Sequence, residues 1–138
     1  MGSGLHDADV VLVGVSRTSK TPLSMYLGYL GWKAANIPIV KGIDPPADLF
    51  DIEQTKVVGL TIDATRLEEI RTDRARRMGG NNKHYAKLLE IYDELEQAEA
   101  IHRRLGCPVI DTTELSIEET AARVIRLVEQ RQAETAAS

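Results

Sequence analysis

The sequence predicts an α/β domain, a three-layer sandwich in which helices cover both faces of a mostly parallel sheet. Short apolar runs alternate with segments of helical periodicity along the 138 residues, and this order places a crossover helix between neighbouring parallel strands. The first run, Val10 to Val13, is continuously apolar and mostly β-branched, as expected for a strand that is buried on both faces. The length suits one domain.

Composition narrows the class of protein. Hydrophobic residues make up 43% and charged residues 28% of the chain, which is typical of a folded globular protein. The 17 basic and 21 acidic residues leave a net charge of −4, which argues against nucleic acid or an anionic membrane as a partner. A single cysteine, Cys107, excludes an intrachain disulfide and argues against a zinc cluster. We therefore expect a reduced, cytoplasmic protein. The sequence does not decide its oligomeric state, and a homodimer is one possibility.

The two ends differ from the rest of the chain. Met1 to Gly4 looks like a remnant of an expression vector, so residues 5–130 are assigned to the domain and 131–138 to a polar, fraying tail. A strand begins almost at once after the remnant. This abrupt start suggests a piece of a longer protein.

Helix and strand signals follow in order through the first half. A helix is predicted from about Lys20, ending before Gly31, which suits the position just after a helix. Residues 34–37 form a short strand in this prediction, and the proline- and glycine-rich segment 41–46 is a loop. A short helix is expected around Asp48.

The second half continues the alternation. Residues 57–62 predict a strand and 64–78 a helix, with a break at Gly79 to Asn82. A long helix is predicted from His84 to Leu105, with Leu88, Tyr92, Leu95 and His102 on its apolar stripe and Gly106 closing it.

The last two elements are a short strand and an amphipathic helix. Residues 108–111 predict the strand, and Ser116 with Glu119 forms a capping-box pattern that opens the helix. Ligands of such sheets bind outside the carboxyl ends of the strands. The residues that follow Val13, Ile62 and Ile110 are therefore the first candidates for function.

The strongest motif follows the first strand. Residues 14–21 match the phosphate-loop pattern G-x-x-x-x-G-K-[ST], except that Ser19 replaces a glycine. Backbone N–H groups of such a loop and the following helix bind phosphate oxygens, the lysine adds a full charge, and the hydroxyl ligates Mg²⁺. The fold predicted is thus like that of a P-loop kinase. The residues assigned to phosphate binding are Gly14, Val15, Ser16, Arg17, Thr18, Ser19, Lys20 and Thr21, with Thr21 on the metal. The alternative is an incidental Ser/Thr-rich turn.

Three residues are assigned to catalysis: Lys20, Arg17 and Asp63. Arg17 is an extra cation beside the phosphates or, alternatively, a solvated surface residue. Asp63 follows the strand 57–62 and is a candidate metal-holding or base carboxylate, but it could equally cap the next helix. Asp111 ends another strand and competes for the same role.

Five arginines lie on the predicted helix 64–78, and we expect Arg66 and Arg71 to contact phosphates or a phosphorylated partner. The alternative is a solvated face, since acidic residues on the same helix partly neutralise the arginines. His102 is interpreted as a core residue and Cys107 as a small buried one.

The segment Ala8 to Ser24 carries more than a generic loop. Together with several shorter blocks, it resembles the pyruvate, phosphate dikinase regulatory proteins and their relatives, the phosphoenolpyruvate synthase regulatory proteins. The blocks are Tyr26-Leu27, Ala35-Asn36-Ile37-Pro38, Gly59-Leu60-Thr61-Ile62-Asp63 and Ser116-Ile117-Glu118-Glu119-Thr120.

The resemblance implies a bifunctional enzyme. Such proteins phosphorylate a threonine of the dikinase or synthase with ADP as donor, and remove the phosphate with inorganic phosphate as acceptor, releasing pyrophosphate. It also implies an upstream domain that this sequence lacks. Two alternatives remain: a small-molecule P-loop kinase that uses ATP, and a nucleotide-sensing module without turnover.

Overall fold

In the part of the chain that the structure describes, four strands and five helices follow one another. The computed structural model describes residues 3–15, 20–77 and 84–137. The strands are β1 (Val10–Val15), β2 (Ala34–Ile39), β3 (Val57–Thr61) and β4 (Val109–Asp111). The helices are α1 (Ser3–Asp7), α2 (Lys20–Tyr29), α3 (Ala64–Arg77), α4 (His84–Leu105) and α5 (Ile117–Ala137), with 3₁₀ turns at Ala47–Phe50 and Gln54–Lys56. The predicted break at residues 79–82 lies outside the described residues.

The strand order is β2-β1-β3-β4, and every described pairing is parallel. Val15 is opposite Ile39, and Val13 is opposite Gly59. The chain steps from β1 to β2 on one side and from β3 to β4 on the other. The topological switch point, where ligands of such sheets bind, therefore lies between the carboxyl ends of β1 and β3.

Helices cover both faces of the sheet, which confirms the three-layer prediction. On one face α2 and α5 pack against β1 and β3 through Leu12, Leu23, Leu60 and Val124, all fully buried. On the other face Leu67 of α3 and Ile101 of α4, together with α1, cover the alternate strand residues Val11, Val13 and Val57. The central strand β1 is buried throughout, as its continuous apolar run predicts.

The glycine signals at two helix ends are confirmed. Gly31 after α2 has φ +94° and Gly106 after α4 has φ +66°, both in the left-handed region that favours glycine at this position. The Gly106 N–H bonds to the His102 carbonyl oxygen at 2.9 Å, which closes α4.

The buried face of α4 differs from the prediction. Its ends are as predicted, but Tyr92 is 52% exposed, and among residues 88–105 the buried ones are Ile91, Ala98, Ile101, His102 and Leu105. Leu88 and Leu95 lie at the border of this face. Apolar residues of α4 occupy a wide arc, so the contact face was set by how the helix crosses the sheet, which periodicity alone does not contain.

Both ends of the described chain are attached to the domain. Leu5 of α1 is buried in the core, and the Lys56 ammonium donates to the carbonyl oxygens of His6 and Ala8 at 2.9 and 3.0 Å. Ser3 and Gly4, assigned from sequence to a remnant, belong to α1. Residues 131–137, assigned to a fraying tail, continue α5. Within the described residues, none of the helices combines the length and apolarity that crossing a membrane requires.

Ser116 and Glu119 form the predicted capping box. The Glu119 N–H donates to Ser116 Oγ at 3.1 Å, and the Ser116 N–H donates to Glu119 Oε1 at 3.0 Å. These bonds to Ser116 hold the pKa of the Glu119 carboxyl below its usual value.

Replacing Ser116 with alanine should lower the free energy of unfolding by about 1 kcal/mol, because an N–H at the start of α5 loses its acceptor. Urea unfolding followed by circular dichroism measures the change. Ser116→Asn, which retains a capping oxygen, is the control; equal losses in both variants would contradict a capping role.

Candidate functional site

The two flanks of the predicted phosphate loop meet in the structure. Gly14 and Val15 are the last residues of β1, and Lys20 begins α2. Residues 16–19, which include Ser16, Arg17, Thr18 and Ser19, lie outside the described residues. A buried strand before the loop and a helix after it are the context that this motif requires.

The Lys20 side chain points back toward the end of β1. Its side chain is 7% exposed, and its ammonium donates to the Val15 carbonyl oxygen at 2.5 Å. A buried ammonium requires polar partners, and here a backbone carbonyl at the strand end supplies one. The charge of Lys20 therefore lies between the end of β1 and the start of α2, while Thr21 beside it is exposed.

Asp63 caps α3. Its carboxylate Oδ2 accepts a hydrogen bond from the Arg66 N–H at 3.1 Å, so the capping interpretation describes its observed contact. The Asp63 N–H donates to the Thr113 hydroxyl at 2.8 Å. Asp63 is exposed at the carboxyl edge of the sheet, next to the switch point.

Asp111 ends β4 and is linked to Asp63 through one side chain. Its Oδ1 accepts from the Thr113 N–H at 3.0 Å and from the Thr113 hydroxyl at 2.5 Å. Thr113 thus joins the ends of β3 and β4. The sequence reasoning missed Thr113, although an aspartate followed two residues later by threonine is a signal for this kind of turn.

Within the described part of the chain, neither aspartate belongs to a preformed metal cluster. Among the residues that the structure describes, three or more His, Cys, Asp or Glu side chains do not converge as metal ligands anywhere. Mg²⁺ in phosphoryl-transfer sites keeps several waters and takes one or two carboxylates together with phosphate oxygens. The exposed Thr21 and Asp63 fit that requirement, since both lie at the carboxyl edge of the sheet.

The arginine-rich helix is only partly described. Arg66 pairs with Glu69 at 3.9 Å, and both side chains are more than half exposed. The side chains of Arg71, Arg74, Arg76 and Arg77 lie outside the described part. The assignment of Arg66 and Arg71 to phosphate binding therefore stays a prediction.

His102 contacts β1 two residues before the end of the strand. Its ring is 4% exposed, and Nε2 lies 2.8 Å from the Val13 carbonyl oxygen. Since a carbonyl only accepts, Nε2 carries the proton. The ring also lies against Gly59, where an added Cβ would come within 2.7 Å of it. The sequence places His102 in the core, which is confirmed, but contains no signal for its contact with β1.

Stability should fall as the pH is lowered through the range of histidine. Burial lowers the pKa of His102 below its usual value of 6.5, against the smaller effects of the Val13 carbonyl and Glu99. Below about pH 6.5 His102 is therefore protonated more readily in the unfolded chain than in the folded chain. The free energy of unfolding decreases in this range as the pH is lowered. Urea unfolding from pH 7.5 to 5.5 measures this slope.

His102→Gln is the matched variant, because its amide retains a donor for Val13 without titrating. We expect its pH slope to be shallower than that of the unchanged chain. The same slope in both proteins would assign the pH dependence to other groups.

Among the described residues, α4 borders a cavity on each of its two sides. One, of about 740 Å³, lies between α4 and the strands β3 and β4, with Thr61, Tyr92, Glu96, Glu99 and Cys107 in its wall. The Cys107 thiol is half-buried, and burial raises its pKa. The other cavity, of about 300 Å³, lies under the loop that follows β2.

Comparison with known proteins places these features in one family. A family model described as kinase/pyrophosphorylase matches residues 2–125, from α1 into α5. The chain belongs to the kinase/pyrophosphorylase family. The match includes the flanks of the phosphate loop, Asp63, His102 and Thr113.

Curated relatives agree with this membership. The chain is 57% identical over 129 residues to a protein of Cutibacterium acnes, covering 92% of this chain and 44% of the relative. It is 53% identical over 126 residues to a protein of Desulfitobacterium hafniense, covering 91% and 46%. Both carry the provisional name pyruvate, phosphate dikinase regulatory protein. The chain thus spans less than half the length of these members of the kinase/pyrophosphorylase family.

Proposed function

We propose that this chain carries the nucleotide site of an ADP-dependent threonine kinase that is also a phosphate-dependent pyrophosphorylase. The observation that carries the proposal is the meeting of β1 and α2 at the switch point, with the Lys20 ammonium between them. Family membership supports the same reaction class.

Lys20 and the first turn of α2 would bind the phosphates of ADP. The helix has ten residues, and the N–H groups in the first turn of a helix attract anions. On nucleotide binding, the Lys20 ammonium exchanges the Val15 carbonyl for phosphate oxygens. Arg17, within the loop, would add a second positive charge. Thr21 and Asp63 would hold Mg²⁺, which neutralises charge on the transferred group.

Asp63 is our candidate base in the alternative arrangement, in which Thr21 holds the metal without it. In the kinase direction a carboxylate takes the proton of the threonine hydroxyl. The threonine oxygen bonds to the β-phosphorus of ADP, and AMP leaves. In the reverse direction inorganic phosphate attacks the phosphothreonine, which releases pyrophosphate and restores the hydroxyl. The bonds of Asp63 to α3 and Thr113 orient its carboxyl group, and Asp111 is the alternative carboxylate.

The protein substrate we propose is pyruvate, phosphate dikinase, because that enzyme appears in the names of the relatives. Phosphoenolpyruvate synthase is the alternative partner from the sequence resemblance. Thr113, Asp63 and Lys20 lie at one edge of the sheet, so a threonine presented there would meet the donor and the base together.

The test is an assay with ADP·Mg²⁺ and each candidate enzyme, in which AMP and phosphothreonine are measured together. Equal formation of both supports the proposal, and the full-length Cutibacterium acnes relative is the positive control. Consumption of ATP with a small metabolite would instead indicate a small-molecule kinase. ADP binding without turnover, in a chimaera that joins this chain to the other half of that relative, would indicate a nucleotide sensor.

A further inference from the structure

The smaller cavity lies one strand away from the predicted phosphate loop. Val15, the last described residue before that loop, is paired with Ile39 of β2, and neighbouring strands are about 4.8 Å apart. Ile39 lines the cavity. The cavity and the loop therefore share the carboxyl edge of the sheet.

The wall of this cavity is apolar, apart from one carboxylate. It is formed by Ile37 and Ile39 of β2, Ile43 and Pro45 of the loop 40–46, and Ile101 of α4. Among the described lining residues, Asp44 alone is charged. A mostly apolar cleft with one or two placed polar groups is the usual form of a small-molecule site.

The loop over the cavity is held in place by α4. Gln97 donates through Nε2 to the carbonyl oxygens of Val40 and Ile43 at 3.0 and 3.2 Å, and its Oε1 accepts from the Gly42 N–H at 3.0 Å. Lys41 pairs with Asp93 at 3.4 Å. The cavity is thus formed before any ligand arrives, which reduces the ordering cost of binding.

The mouth of the cavity exposes apolar surface. Ile43 is 60% exposed and Val40 is 47% exposed, although the loop is fixed by the hydrogen bonds of Gln97. Exposed apolar groups that adjoin a cleft are typical of a binding surface.

We propose that this cavity, the base cavity, binds the nucleobase of the nucleoside diphosphate, with Asp44 accepting a hydrogen bond from a ribose hydroxyl. This rests on the proposed function. A flat, weakly polar base fits an apolar slot, and a carboxylate near the carboxyl end of the second strand is a known partner of ribose hydroxyls. The larger cavity is less suited, because its wall carries the carboxylates of Glu96 and Glu99 against the single guanidinium of Arg103, and this net negative charge disfavours a diphosphate.

Calorimetry with ADP and with pyrophosphate, which has the phosphates but no base, separates the two parts of the site. Ile43→Asn should weaken ADP binding about tenfold through lost apolar contact and leave pyrophosphate binding unchanged. The matched control, Tyr92→Asn, removes a half-exposed apolar residue from the larger cavity and should change neither affinity.

A second variant tests the ribose contact. The unchanged chain should bind ADP more tightly than 2′-deoxy-ADP or 3′-deoxy-ADP, and Asp44→Asn should reduce the larger of these two preferences. Unchanged ADP affinity in Ile43→Asn, equal losses for ADP and pyrophosphate, or a loss confined to Tyr92→Asn would each overturn the base cavity while leaving the phosphate site in place. Binding of neither compound by the unchanged chain would overturn the proposed function itself.

Discussion

Replacing Lys20 with alanine should slow phosphoryl transfer about 100- to 1,000-fold and weaken ADP binding about tenfold or less. The ammonium lies at the junction of β1 and α2, where the proposed reaction builds up negative charge on the transferred group. Its attraction therefore stabilises the transition state more than the bound ground state.

AMP formation measures the rate and calorimetry the affinity, in this chain or in its chimaera with the other half of the Cutibacterium acnes relative. Loss of the bond to the Val15 carbonyl should cost about 1 kcal/mol of folding free energy, so unfolding is measured in parallel. Lys33→Ala, at an exposed lysine outside the site, should change none of these quantities. A Lys20→Ala protein with unchanged transfer would remove the loop from the mechanism.

Gly59→Ala should lower the free energy of unfolding by about 3 kcal/mol. The new Cβ would lie 2.7 Å from two atoms of the His102 ring. The ring is buried between α4 and the sheet, so it can yield only by giving up its bond to Val13.

A double-mutant cycle separates this clash from other effects. In the His102→Ala background the space opens, so adding Gly59→Ala should cost little or even stabilise, because glycine disfavours strands. Gly28→Ala is the control, because it should raise the free energy of unfolding instead of lowering it. Nothing lies within 4 Å of that Cβ, and alanine favours the α2 helix by about 0.5–1 kcal/mol. A Gly59→Ala protein as stable as the unchanged one would show that the ring does not pack as described.

Sequence patterns predicted local structure better than contacts between distant residues. The ends of α4, the capping box of Ser116 and the glycines after α2 and α4 depend on neighbours within a few residues, and all were predicted. β1 extends past its predicted end to Val15 because Ile39 of β2 pairs with it. The residues near Val15 in sequence do not predict this pairing with β2.

In the candidate site too, local patterns identified some residues, and contacts between distant residues were missed. Lys20 and Asp63 were found because a motif and a strand end mark them, whereas Thr113 contacts Asp63 across 50 residues and His102 contacts Val13 across 89. Such contacts arise only when the sheet is assembled. The assignments of Arg17 and Ser19 lie outside the described residues and stay predictions.

Parallel pairing makes the sheet a late event in folding. Val13 joins Gly59, and Gly59 joins Val109, so both pairings of β3 close long stretches of chain before any contact is gained. Chains dominated by such separations fold slowly. Since the carboxyl ends of β1 and β3 become neighbours only in that step, the proposed nucleotide site forms only when the sheet is assembled. A nucleotide present during refolding would then leave the rate of sheet formation unchanged and act only afterwards, by retaining molecules that have already folded.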